Sequence, residues 1–513
     1  MIEIVLNDRA YEQDIRELLM AFYPGEEFSY PETVNYEKRP GVTLVVECMV
    51  SKNFKWLSLW VRAGETAEEV KAMEEANFQE LLWDMTPEMM AEAAVRNQLI
   101  QVDYENRFET KNKIKRRLYT LLMLRTGKLL PWGTLTGIRP TKIAMTKFAE
   151  GESEETIARH MKETYFTSDE KVNLSIEIAK RERELLSGID YHKGYSLYIG
   201  IPFCPTTCLY CSFTSYPIGK WAGKTHLYLD ALFKEMEYVA EKKKGCPLDT
   251  VYFGGGTPTS LSAEDLDCLI TKLKATFDFS TVKEFTVEAG RPDSITREKL
   301  EVLKKHGVSR ISINPQTMKQ ETLKIIGRHH TVEDVKDRFK LARELGFNNI
   351  NMDLIIGLPE EDLEDVKATM EAVKELAPDS LTVHSLAIKR AARLNTMKEV
   401  YKDLKITNTQ EMIDLTARYA REMGLEPYYL YRQKNMAGNF ENVGYAAPGK
   451  ACIYNILIME EQQTIIGCGA GTTTKRLFPE ENRIERAENV KDVEQYIARV
   501  DEMIERKEKL LAD

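Results

Sequence analysis

From Tyr195 onward the chain keeps a regular rhythm of short hydrophobic runs, each followed by an amphipathic stretch. The runs are YSLYIGI, DTVYFGG, KEFTVEA, VSRISIN, NNINMDLII and SLTVHSL. They are short, rich in β-branched and aromatic residues and bounded by turn formers, as buried strands are. The stretches between them, Lys224–Lys244, Ser262–Thr276, Thr296–His306, Val332–Leu345 and Leu363–Leu376, carry apolar residues at helical spacing. Six such alternations predict parallel βαβ units. A doubly wound sheet and a barrel both satisfy that pattern, and the regularity favours the barrel-like arrangement. The fold class expected is α/β, a partial (β/α)6 barrel over 191–390.

The flanks read differently. Residues 1–60 alternate β-rich runs (IEIVL, TLVVECMV, WLSLWVR) with one helical stretch near Asp14–Phe22. Ala67–Arg125 is mostly helical in pattern, and another helix is expected from Ser168 to Leu186. These make residues 1–190 an N-terminal α+β and helical region. Residues 391–513 are expected to form a C-terminal α+β domain closing over the barrel mouth. It opens with a helix over Thr409–Met423, with Thr407 and Gln410 as a capping box and Gly424 beyond its end. A β region containing TIIGCGAGTTTK follows, and the charged tail Val490–Glu508 reads as an exposed helix.

Composition narrows the function classes. The 513 residues are 43% hydrophobic and 30% charged, an ordinary globular balance. No apolar run reaches the roughly 18 residues of a membrane span. A net charge of −10 argues against a protein that wraps nucleic acid. The basic run KNKIKRR at 111–117 is read as a solvated helix face or a contact to an acidic substrate. Eight cysteines are too few for a disulfide scaffold. With an acidic N-terminus lacking a signal-peptide core, the chain is expected in the reducing cytoplasm.

Three of those cysteines change the picture. Cys204, Cys208 and Cys211 crowd the loop leaving the first run. Three thiolates in one loop suit an iron–sulfur cluster with one uncapped iron, or a zinc site completed from elsewhere. FGGGTPTSL follows the second run, and Gly254, Gly255 and Gly256 allow a backbone to approach a ligand closely. Glu288, Gln316, Asp353 and His384 then sit at or near successive run ends, 28 to 37 residues apart from Gly255 onward. In a parallel barrel those ends share one mouth. Buried strands do not carry such groups without compensation.

Cys204-Pro-Thr-Thr-Cys208-Leu-Tyr-Cys211 with GGGTP resembles the radical S-adenosylmethionine (SAM) superfamily. Within it, YIGIPFC, FGGGTPT, VEAGRPD, INPQT, IGRHHT and MDLIIGLP look like the oxygen-independent coproporphyrinogen III oxidase group, which also holds heme chaperones and heme-modifying enzymes. LPWGTLTGIRPTK and GYAAPGK with GCGAGTTTK look most like its HemZ-type subgroup. The resemblance implies a [4Fe-4S] cluster on Cys204, Cys208 and Cys211. It implies SAM at Tyr198, Gly255 and Glu288, and a second SAM at Tyr210, Gly256, Thr257, Gln316, Arg328, Asp353 and Ala387, with Thr473 a further match. The implied reaction cleaves SAM to methionine and a 5′-deoxyadenosyl radical. The radical takes a hydrogen from a propionate β-carbon, carbon dioxide leaves, a vinyl group forms and one electron passes on. Asp353 is expected beside the reacting centre. An electron donor such as a flavodoxin or ferredoxin is implied.

The chain departs from the oxidases twice, with Phe213 where they often carry a fourth cysteine and Gly200 where they carry a histidine. A heme chaperone or a heme-modifying enzyme therefore stands as the alternative. A substrate with four propionates wants cations, for which Arg139, Lys142, Lys389, Arg390, Arg432 and Lys434 are available. His384 and Tyr454 could ligate a heme iron in the chaperone reading. His329 and His330 are read as part of the SAM-facing loop rather than a metal pair, and Cys452 and Cys468 as small buried residues.

Overall fold

The computed structural model describes residues 1–33, 42–51, 56–62, 99–137, 139–389, 391–397, 399–401, 403–433, 440–481 and 483–512. The chain forms two units, one of Met1–Ile176 with Arg432–Phe440 and the other of Glu177–Tyr431 with Glu441–Asp513. In the first, β1 (Ile2–Leu6), β2 (Phe28–Ser29), β3 (Leu44–Ser51), β4 (Trp56–Arg62) and β5 (Leu99–Gln101) pair in the order β2-β1-β3-β4-β5. Helices α1 (Glu12–Phe22) and α2 (Arg107–Thr126) supply Leu18, Phe22, Ile114 and Leu122 to one core with Ile4, Leu44 and Val46 of the sheet. Asn106 caps α2 by accepting from the Glu109 amide, and Gly127 ends it at φ +66°. Helices α3 (Thr141–Ala149) and α4 (Glu154–Tyr165) follow, and α5 (Asp169–Leu186) runs on into the second unit.

Most of the Ala67–Arg125 expectation, up to residue 98, lies outside the described residues; the remainder opens with the strand β5 and then forms α2. The basic run sits on α2 as expected. Its Lys115, however, is buried and donates to Thr136 Oγ1 at 2.8 Å, and burial pushes its pKa down to about 8. That lysine belongs to the unit's interior.

The second unit is built on β6 (Tyr195–Ile201), α6 (Thr225–Lys242), β7 (Leu248–Gly255), α7 (Ala263–Thr276), β8 (Glu284–Gly290), α8 (Arg297–Lys305), β9 (Arg310–Ile313), α9 (Val332–Glu344), β10 (Ile350–Ile356), α10 (Leu363–Leu376) and β11 (Ser380–Ser385). The six strands pair in chain order and all in parallel. Each presents an almost wholly buried run, as strands covered on both faces must. Helices α9 and α10 begin with capping boxes, Thr331 with Asp334 and Asp362 with Asp365.

The C-terminal residues lengthen this sheet at both edges. After α11 (Gln410–Glu422), β12 (Glu426–Tyr431) and β13 (Asn442–Ala446) add antiparallel beyond β11. After α12 (Ile453–Met459), β14 (Thr464–Cys468) pairs parallel with β6, and β15 (Thr473–Phe478) and β16 (Arg483–Glu488) extend that side. The order is β12-β13-β11-β10-β9-β8-β7-β6-β14-β15-β16. The sheet is open, with a seven-stranded parallel middle, the six strands of the βα run plus β14.

Two details differ from the sequence reading. The cap of α11 is Thr409, accepting from the Met412 amide at 3.3 Å, so Thr407 and Gln410 make no capping box. The tail is two helices, α13 (Val493–Ala498) and α14 (Val500–Leu511), and their inner face is buried through Val493, Tyr496, Met503 and Lys507. Lys507 finds a buried acid, Glu235, at 2.6 Å, so the charge that reads as solvated is paired inside.

Candidate active site

The cysteine loop leaves β6 and is pinned on both sides. The Gly256 amide donates to Ile201 O and the Thr257 amide to Phe203 O, at 2.8 and 2.7 Å. Only glycine allows this approach, since a Cβ on Gly256 would stand 2.5 Å from Phe203 O, and Gly255 holds φ +107°. Across the loop, the Leu209 amide donates to Ile326 O at 2.9 Å and Thr206 Oγ1 to Gly327 O at 2.9 Å. Cys204 and Cys208 are buried, and Cys211 is partly open. The Cys204 thiol lies 3.4 Å from Thr257 Oγ1, and burial pushes its pKa up to about 11. Arg291 Nη1 donates to Cys208 Sγ at 3.7 Å.

Further along the strand ends, Glu288 accepts from Tyr252 OH at 2.6 Å. A Cβ on Gly254 would lie within 3.2 Å of both Tyr198 OH and Glu288 Oε1, so glycine leaves room for both side chains over this backbone. Desolvation holds Glu288 up at about 7, with Asp353 adding in the same direction. The tyrosine rings stack behind it, Tyr252 on Tyr454 at 4.4 Å and Tyr198 on Tyr252 at 6.0 Å. Gln316 is buried at φ +67°, its amide bonded to Asp353 O and its carbonyl to the Ile355 amide. A non-glycine residue held there stores strain of the kind that gathers at functional sites. Asp353 is oriented by Asn351 Nδ2 at 2.7 Å and faces His384 Nε2 at 4.0 Å, and His384 Nδ1 meets Tyr431 OH at 3.2 Å. Arg328 donates to Asn314 O and to Tyr210 OH, at 2.5 and 3.3 Å.

The structure therefore joins the expected residues into linked groups at one end of the sheet. Ala387 sits just past β11. Thr473 opens β15, and its neighbour Thr472 lines a cavity of about 210 Å³ with Tyr198, Gly200, Phe213, Gly255 and Lys491. Gly200 is required there, because its Cβ would stand 2.4 Å from Thr472 Cγ2. His330 is buried beside Asp293, and burial lowers its pKa to about 4. Cys452 and Cys468 are buried as expected, and Tyr454 is buried in the stack.

The cation list needs correction. Arg432 is buried, donates to Leu135 O and lies over the Trp132 ring at 5.5 Å, so it braces the first unit. Lys389 rests over the exposed Phe213 ring at 5.4 Å. Arg390 and Lys434 lie outside the described residues. Sequence reasoning missed Arg291, Tyr252 and Tyr431. Only Arg291 had a visible signal, its place in VEAGRPD beside Glu288.

Residues 198–373 match the radical SAM superfamily, whose members use a [4Fe-4S] cluster and SAM. The residues fit that pair. Among the described residues, no three His, Cys, Asp or Glu side chains converge as a single metal ion would need. A four-iron cluster instead takes each thiolate on a separate iron. The Thr257 hydroxyl and the Arg291 guanidinium face two of the three sulfurs, and the glycine cradle and the cavity adjoin the loop. Among the described residues no helix is long and apolar enough to cross a membrane.

The chain is similar to the oxygen-independent coproporphyrinogen-III oxidase-like protein HemZ of Bacillus subtilis (strain 168), 45% identical over 79% of this chain and 81% of the relative. It is 41% identical over 38% of its length to half (51%) of the heme chaperone HemW from the same organism. Among solved structures it is similar to coproporphyrinogen III oxidase (HemN) from Escherichia coli, with 24% identity, TM-score 0.49, and 63% and 73% of the two chains covered. With the cysteine loop, the glycine cradle and the acid-bearing strand ends all in place, the extended match to HemZ makes this chain a member of the radical SAM superfamily and of its oxygen-independent coproporphyrinogen-III oxidase-like family.

Proposed function

We propose that this protein oxidises coproporphyrinogen III to protoporphyrinogen IX, turning two propionates into vinyl groups, in the cytoplasm and with electrons from a flavodoxin- or ferredoxin-type donor. The observation that carries the reading is the gathering of the cysteine loop, the Gly254–Gly256 cradle, Glu288, Gln316 and Asp353 on or just past consecutive parallel strands. When bound, the cluster and SAM supply a hydrogen-abstracting carbon radical. The chain's own residues supply position and shelter.

Tyr198, Gly255 and Glu288 would hold the first SAM. Glu288, poised near neutrality, can accept a hydrogen bond from an ammonium group or donate one when protonated. Tyr210, Gly256, Thr257, Gln316, Arg328, Asp353 and Ala387 would hold a second. Asp353 would be held for that role by Asn351 Nδ2 on Oδ1, with His384 Nε2 at 4.0 Å from Oδ2. The stacked Tyr198, Tyr252 and Tyr454 rings keep water from the floor of the site. Lys389 and Lys491 at the rim are cations for propionates.

A heme carrier is the second reading, favoured by Phe213, 68% exposed next to the cysteine loop, and by the 41% identity to a heme chaperone over 38% of the chain. The deciding experiment reconstitutes the cluster anaerobically, adds SAM, strong reductant and coproporphyrinogen III, and follows porphyrins by fluorescence-detected chromatography. Protoporphyrin formed over many turnovers, and lost in Cys208→Ala, supports the oxidase. A stable Soret band on added heme with no porphyrin product supports the carrier. Consumption of heme with release of methionine or S-adenosylhomocysteine points to heme modification.

A further inference from the structure

We propose that Arg291 and Asp293 together set the reduction potential of the cluster. The inference rests on the cofactor alone and is independent of which tetrapyrrole the protein meets.

Arg291 leaves β8 on the turn after Gly290, which holds φ +67°, and its side chain is 3% exposed. Asp293 takes one edge of its guanidinium in two bonds, Nε to Oδ1 at 3.0 Å and Nη2 to Oδ2 at 2.7 Å. That fork fixes the plane and directs the remaining nitrogen, Nη1, at the cysteine loop. Nη1 donates to Thr206 Oγ1 at 2.7 Å, to Thr206 O at 3.0 Å and to Cys208 Sγ at 3.7 Å. The positive edge of the pair thus faces the sulfur, and the carboxylate stands behind it.

Cluster potentials respond to hydrogen bonds at the sulfurs, nearby charge and burial. A buried cationic donor on a ligating thiolate stabilises the more negative, reduced cluster and raises its potential. Asp293 works the other way, because its negative charge sits one guanidinium away in a low-dielectric setting. The pair is therefore a charge balance whose two halves pull the potential in opposite directions. Lysine could match the charge of Arg291 but could not be forked by Asp293 while also reaching Thr206 and Cys208.

The test is an EPR-monitored redox titration of the reconstituted full chain under dinitrogen without SAM, with iron per chain measured alongside. Arg291→Met is expected to lower the midpoint, since it removes the donor and leaves Asp293 uncompensated. Asp293→Asn is expected to raise it, and Arg291→Met with Asp293→Asn to fall below Asp293→Asn alone. Arg291→Lys should lie between wild type and Arg291→Met. If Arg291→Met fails to load iron, the Asp293→Asn arm still decides. Equal midpoints for Asp293→Asn and wild type, or a downward shift in Asp293→Asn, would overturn the proposal, because a merely structural pair has no reason to move the midpoint upward.

Discussion

Glu235 and Lys507 offer the sharpest test of how one wall of the site is held. Both are fully buried and lie 2.6 Å apart. The Glu235 carboxylate also accepts from the Gly469 amide at 2.7 Å, Tyr496 OH at 2.5 Å and Asn489 Nδ2 at 2.7 Å. Lys507 in turn donates to Asn489 Oδ1 at 2.7 Å. Lys507→Met would leave a buried carboxylate without its counter-charge, and removing one partner of a buried pair costs about 3–5 kcal/mol. The three surviving donors pull the cost toward the low end of that range. The orphaned Asn489 oxygen adds about 1–3 kcal/mol, which returns the expected loss to roughly 4 kcal/mol. Glu235→Gln with Lys507→Met removes both charges and should recover about 2 kcal/mol, because the desolvation penalty goes with the carboxylate. Urea unfolding followed by circular dichroism reads these two variants and the Glu235→Gln single variant. The Gly469 amide lies in the loop beside the cavity, so hydrogen exchange over 467–473 should quicken in Lys507→Met. A cost below about 1 kcal/mol, or a double variant as unstable as the two singles added together, would refute the assignment of a buried, charge-balanced anchor.

Other outcomes follow from the same geometry. Gly256→Ala places a carbon 2.5 Å from Phe203 O, so the loop must shift; reconstituted iron and the visible cluster absorbance should fall well below wild type while secondary structure persists. For Glu288, with a folded pKa raised to about 7 by desolvation, the stabilising contribution is present below the unfolded value near 4.5 and is lost as pH rises through 7. Glu288→Gln should accordingly gain stability over wild type at pH 8 relative to pH 4.5 in paired urea titrations of the cofactor-free protein, by on the order of 2 kcal/mol; an equal difference at both pH values would contradict it. Gln316→Gly relieves the left-handed backbone and should leave stability unchanged or better by up to about 1 kcal/mol, with SAM-dependent turnover reduced because the side chain is gone.

The parallel middle of the sheet was legible because each strand carries its own local mark, a short apolar run followed by an amphipathic helix. The cysteine loop and glycine cradle were legible for the same reason, being dense in residue types that few other contexts require. What escaped was pairing between segments far apart in sequence. Nothing in TIIGC states that it lies parallel to YSLYI, or in NVGYA that it runs antiparallel to SLTVHS, because register is settled by the sheet edges left open. Lys507 looked like part of a solvated tail since its partner is 272 positions away. Arg432 looked like a substrate cation for a similar reason, its acceptor Leu135 being 297 positions earlier. Thr409 rather than Thr407 caps α11 because a cap needs its side chain at the amide three residues on, a geometry that two nearby threonines share on paper and only one attains.

The two walls beside the cavity are held by different physics. On the cysteine side, backbone packs on backbone through glycines, with the Gly256 and Thr257 amides bonded to carbonyls of 201 and 203. On the Gly467–Thr473 side, the loop hangs on a buried carboxylate, with Tyr228 OH adding a bond to the Ala470 amide at 3.1 Å. Both leave little room for rearrangement, since any shift would strand a buried polar group. The rim is different. Phe213 and Ile388 are exposed, and Lys389 lies across the Phe213 ring. Under the proposed function, a packed interior with an apolar, cationic rim is the division expected if the radical chemistry is fixed and the macrocycle is chosen at the entrance. Specificity between a porphyrinogen and heme should therefore respond to Phe213 and Lys389 substitutions that leave cluster content and SAM affinity unchanged. If instead Phe213→Ala alters SAM affinity as much as it alters tetrapyrrole binding, the entrance and the interior are not separable in this way.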